Sequence, residues 1–156
     1  MNVYVMSRDR AVKYCGKHHD TPSAIISIAT PHALYRDFVY KNTKNNVKDI
    51  LEMTFADADA PNTPDVYGTI VSEEDLLSAE QVKQIVEFVK KNKNYDIIVH
   101  CDAGISRSSG VAAAILKYYT GDDSQIFDSR WFAPNMWCYR KVLEGFIYKD
   151  ELLEGS

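Results

Sequence analysis

The segment from Tyr95 to Leu116 constrains the fold more than any other part of the chain. It opens with Tyr95-Asp96-Ile97-Ile98-Val99-His100, an apolar run bounded by polar residues, as in a buried central strand. It ends with Val111-Ala112-Ala113-Ala114-Ile115-Leu116, which is helical in propensity and apolar nearly all round. Such a helix belongs inside the protein, and Gly121 is placed to close it. Between them lies a short polar turn containing Gly104, so the chain must reverse from buried strand to buried helix within a few residues.

The flanking sequence supplies partners for both elements. Met1 to Met6 and Ala24 to Ile28 read as short strands, and Val47 to Phe55 as a third. Thr30-Pro31 has the form of a helix start, with Leu34, Phe38 and Val39 as its apolar face. Ala56 to Ser78 is acidic and carries Pro61, Pro64 and Gly68, so it is expected as a long loop. Ser78 and Gln81 form a capping box before Val82, Ile85, Val86 and Val89, the clearest amphipathic helix. Pro134 and Asn135 precede a final helix bearing Trp137, Tyr139, Val142, Leu143 and Phe146, with Asn135 a candidate cap. Strands alternating with helices predict an α/β fold whose central, largely parallel sheet is flanked by helices. At 156 residues one domain suffices, expected over 1–153 with a frayed tail at 154–156.

Composition narrows the function classes. The formal net charge of -4 gives no long-range attraction to nucleic acid or anionic lipid, and Lys41, Lys44 and Lys48 are scattered among asparagines. Three cysteines, Cys15, Cys101 and Cys138, make neither an even disulfide framework nor a paired metal site, which suits a reducing compartment. No signal-like start and no bilayer-length apolar stretch is present, so a cytoplasmic location without membrane partners is expected. His18 and His19 lack further ligands at metal-site spacing, and neither metal nor cofactor is expected.

The turn from Cys101 through Asp102, Ala103, Gly104, Ile105 and Ser106 to Arg107 has the makings of an anion cradle. Successive amides in such a turn point inward, and the following helix adds unpaired N–H groups and its positive end. Arg107 would present a planar fork to two phosphate oxygens. A thiol at the mouth of that loop loses its proton readily, which makes Cys101 a candidate nucleophile toward phosphorus. Ser108 would sit close enough to donate a hydrogen bond to the sulfur and ease its departure in a second step. A structural thiol at a strand end is the plain alternative, and the bare spacing from Cys101 to Arg107 weighs little without strand, glycine and helix.

His100-Cys101, five residues, then Arg107-Ser108 resembles the signature of the protein tyrosine phosphatase superfamily, particularly its small dual-specificity-like members. The resemblance implies a cysteine-phosphatase fold and metal-free hydrolysis of phosphate monoesters through a thiophosphate intermediate. It assigns His100 to holding the loop and Cys101 in place. It implies a general acid just after a strand, within Phe55-Ala56-Asp57-Ala58-Asp59-Ala60-Pro61, and its spacing favours Asp57. Asp59 is the alternative acid, and Asp65 or Asp75 a more distant one. Lysine-rich cradles accompany phosphoinositide substrates in this superfamily, whereas Asp102, Ile105 and Ser106 stand here and argue against a heavily charged inositide.

The expected partner is therefore a phosphorylated protein, on phosphotyrosine or with dual specificity, or a small phosphorylated molecule. An RNA 5' end or a nucleotide is the alternative within enzymology. A non-catalytic phosphate-binding module is the alternative outside it, and sulfur transfer or arsenate reduction would need Cys15 or Cys138 to approach Cys101.

Overall fold

A computed structural model describes residues 1–154, with side chains placed to residue 150. Strand β1, Val3–Ser7, leads directly into helix α1, Arg8–Cys15, and β2 follows at Ser23–Ala29. After a long irregular segment comes β3, Val47–Thr54, and then a two-rung hairpin of β4, Thr63–Pro64, and β5, Ile70–Val71. Helix α2, Ala79–Lys91, precedes β6, Asp96–Cys101, and α3, Arg107–Thr120. A single helical turn, α4, at Ser124–Phe127 and the long α5, Met136–Glu154, complete the chain. Glu154 thus ends a helix where a tail was expected, and residues 155 and 156 lie outside those described.

The main sheet has the order β1-β6-β2-β3 and every pairing in it is parallel. This is the α/β architecture expected from the alternation of strands and helices. Alternation along each strand divides the core between the two faces. Ala24, Ile26, Ile28, Ile97 and Val99 face α2, α3 and α5, while Ile25, Ile98 and Val47 face α1 through Ala11 and Cys15. Ile97 and Ile98 are both fully buried, which explains the unbroken apolar run of β6. Among the described residues no helix is long and apolar enough to cross a membrane.

Two departures from expectation both concern a helix terminus. Residues 30 to 39 form turns instead of a helix; His32 has φ of 62° and Leu34 is wholly exposed. Thr30, expected as the cap, donates its hydroxyl to Asp102 Oδ2 at 2.5 Å instead and accepts from Arg107. Conversely, α1 forms where no helix was expected. Ser7 caps it by accepting from the Arg10 amide, and Asp9 pairs with Lys13 one turn on. The region 56–78 is a loop for most of its length, shaped by the hairpin and by a turn at Glu73–Asp75 that Ser72 and Asp75 cap reciprocally.

Candidate active site

β6 delivers Cys101 to the carboxyl end of the sheet, in register with Ser7 at the end of β1. The chain then turns at Gly104, whose φ is +71° and whose position leaves no room for a side chain. A Cβ there would lie 2.6 Å from the Ser7 amide nitrogen. The turn feeds α3, and the amides of residues 103 to 108 find no acceptor among the described residues. Ser106 occupies the cap position of α3 without a side-chain cap bond, so the helix start stays open to an external acceptor. Cys101 is 3% exposed, and its Sγ lies 3.0 Å from Ser108 Oγ.

His100 lies fully buried beneath the loop. Its ring Nδ1 is 3.1 Å from the Cys101 carbonyl oxygen, which can only accept, so this nitrogen carries the proton. Nε2 then accepts from Ser27 Oγ at 2.6 Å, a contact set by the cross-strand pairing of Ser27 with His100. Burial, with the Arg8 and Arg107 charges adding to it, pushes the imidazole down to about 4. A neutral ring fits both hydrogen bonds.

Arg107 is also buried. Nη1 donates to the carbonyl oxygens of Ala29 at 3.2 Å and Phe55 at 2.8 Å. Nη2 donates to Thr30 Oγ1 at 2.9 Å and Asp102 Oδ2 at 3.3 Å, while Nε finds no partner. Burial would raise the Asp102 carboxyl, but the Thr30 and Tyr35 hydroxyls with Arg107 and Arg8 outweigh it and hold it below the ordinary value. What Asp102 and Ser106 can offer an anion is therefore their backbone, since both side chains are already engaged.

The two candidate acids part company. Asp57 Oδ1 accepts from Ser106 Oγ at 2.8 Å and Asn135 Nδ2 at 2.7 Å, which fixes it beside the cradle. Asp59 is exposed and accepts from the Met136 amide at 2.9 Å, at the first turn of α5. Asn135 also caps α5 through Cys138 N, as expected, and its own amide donates to the Ser106 carbonyl. Asp65 and Asp75 accept hydrogen bonds within their own turns.

The loop and Asp57 border one cavity of about 770 Å³, lined by Cys101, Arg107, Asp57, Tyr67, Ile70 and Ile105. Asp65, Asp75 and Asp102 also line it. Asp59, Trp131 and Trp137 do not; Trp131 is exposed and Trp137 donates to the Leu77 carbonyl. Sequence reasoning missed Thr30 and Arg8. Both stand at strand ends beside β6, so only the sheet order brings them to Cys101.

The sequence matches no protein-family model and no curated protein. Solved structures match it throughout. A human tyrosine phosphatase-like serine/threonine/tyrosine-interacting protein superposes with a TM-score of 0.58 at 18% identity, covering 97% of this chain and 93% of that one. PTPMT1 in complex with PI(5)P gives 0.53 at 13% identity, covering 99% and 95%. Tk-PTP in its active form gives 0.53 at 18% identity, covering 94% and 90%. The fold is that of the cysteine phosphatases. Identities this low speak for fold alone, and one of the similar proteins is described as phosphatase-like, so the chemistry must be argued from the site.

Proposed function

We propose that the chain hydrolyses phosphate monoesters through a covalent intermediate on Cys101. The observation that carries this reading is the cradle, a turn directly after Cys101 whose amides from 103 to 108 find no acceptor among the described residues and which ends on Arg107 with its Nε–H unpartnered. Such a site favours a tetrahedral dianion and lowers the cost of the thiolate beside it. The thiolate attacks phosphorus, forming an S–P bond as the ester P–O bond breaks. Asp57, protonated, gives its proton to the leaving oxygen. Asp57 then takes a proton from water, the hydroxide displaces sulfur, and inorganic phosphate leaves. Ser108 donates to the departing sulfur, and the amides with Arg107 hold the equatorial oxygens in both steps. His100 supports the loop through the Cys101 carbonyl.

The apolar wall of Val66, Tyr67, Ile70 and Ile105 suits an aryl ester such as phosphotyrosine, in a protein that is phosphotyrosine-specific or dual-specific. Four carboxylates on the cavity lining disfavour RNA 5' ends, nucleotides and inositides. Sulfur transfer and redox chemistry are less well served: Cys15 packs on the opposite sheet face, and Cys138, on the same face as Cys101, is buried with its thiol held well above the ordinary value, which makes it a poor resolving nucleophile.

The test is phosphate release from a phosphotyrosine peptide without added metal. Cys101→Ser should abolish it, Asp57→Ala should lower kcat by about 100-fold, and Asp59→Ala should leave kcat within a few-fold. No release by the reduced parent, from this peptide or an aryl phosphate, defeats the reading in favour of a binding module.

A further inference from the structure

Asp102 places a carboxylate on a loop shaped to receive an anion, where its charge opposes the ligand. Its contacts indicate what it does there. It accepts from Thr30 Oγ1 at 2.5 Å and from Arg107 Nη2 at 3.3 Å, and its other oxygen lies 3.6 Å from Arg8 Nε. Arg8 is itself fixed. Its amide donates to the Asp102 carbonyl at 3.1 Å, its Nη2 reaches the Ile28 carbonyl at 3.4 Å, and its guanidinium lies 3.7 Å from the Tyr35 ring centroid. With Nη1 of Arg107 held by Ala29 and Phe55, both terminal nitrogens of that guanidinium are engaged and only Nε–H is unpartnered.

Resting on the cradle reading above, we infer that Asp102 is a positioning residue. Backed by Arg8, it fixes the guanidinium plane of Arg107, while its charge weakens the loop's hold on phosphate and so speeds product release. Orientation and charge are separable, because Thr30 contributes to the first and carries none of the second. An Asn at 102 can keep the oxygen that Thr30 and Arg107 share but turns an N–H₂ group toward Arg8, losing the backing of Arg8 on which the alignment depends, and the negative charge.

The experiment compares the full-length parent with Asp102→Asn and Thr30→Val. Inorganic phosphate is titrated calorimetrically, and turnover of an aryl phosphate is measured in parallel. For Asp102→Asn, phosphate should bind at least about fivefold tighter while kcat falls about tenfold, the tightening shrinking as salt is raised. Thr30→Val should lower kcat without tightening phosphate. A merely structural role would weaken binding and turnover together in both variants, and that result overturns the inference. Unchanged phosphate affinity in Asp102→Asn overturns it as well. A parent without turnover whose Asp102→Asn variant still binds phosphate tighter defeats the proposed function while upholding the charge effect.

Discussion

Ser108 meets Cys101 from the first turn of α3, with its hydroxyl 3.0 Å from the sulfur and both residues buried. A hydrogen bond there stabilises a thiolate, and in the proposed cycle the thiolate leaves in the second step. Ser108→Ala should therefore slow hydrolysis of the intermediate more than its formation. Rapid-quench kinetics on an aryl phosphate should show a burst of the alcohol product, followed by a steady rate about tenfold below the parent. A reduced rate with no burst would place the hydroxyl in the first step instead. Gly104→Ala tests the neighbouring turn. A left-handed backbone costs a side chain about 1 kcal/mol, and the clash with the Ser7 and Met6 backbone adds to it. The urea midpoint should fall and phosphate binding should be lost. Cys101, Arg107 and Ser108 were legible in the sequence because strand, turn and helix present them within one short run. Arg8 and Thr30 were not, since they reach the cradle only through the order of strands in the sheet.

At the scale of the element, caps and periodicity were readable wherever the chain satisfies its own ends. Ser78 and Gln81 bond each other's backbone at the start of α2, as the capping box predicts, and Gln81 Nε2 also reaches the Thr54 carbonyl. Removing the cap by Ser78→Ala should cost about 1 kcal/mol in chemical denaturation and leave kcat unchanged. The Thr30-Pro31 signal failed because the hydroxyl finds a charged partner at 102, which a surface helix could not match. The eight residues of α1 carry few apolar side chains beyond Ala11, Val12 and Cys15, too weak a stripe to detect. Asn135 lies between these cases, since its cap on α5 was legible but its bonds to Asp57 and to the Ala58 carbonyl were not. Asn135→Ala should accordingly do what Ser78→Ala does not, lowering kcat about tenfold along with stability while phosphate affinity is kept.

For the molecule as a whole, the parallel sheet gathers the ends of β1, β2, β3 and β6 on one side, and His100 ties two of those strands to the cradle at its centre. That tie has a pH dependence with a definite sign. An unfolded histidine titrates near 6.5, whereas His100 in the folded protein is held down to about 4. Between these values the unfolded chain binds the extra proton and the native protein does not. Stability therefore rises with pH across this window, is fully present above about 6.5, and is lost as pH falls toward 4. The difference corresponds to about 3 kcal/mol for this one buried ring. Asp102 and Asp49, both held below the ordinary carboxylate value against their own burial, add losses only below about pH 4. Urea unfolding at pH 7.0, 5.5 and 4.5 should show the parent midpoint falling steadily. His100→Asn should begin less stable at pH 7.0, having lost bonds to Ser27 and the Cys101 carbonyl, yet change much less over the same interval. Parallel pH dependence in the two proteins would show that the acid sensitivity originates away from the strand that carries Cys101.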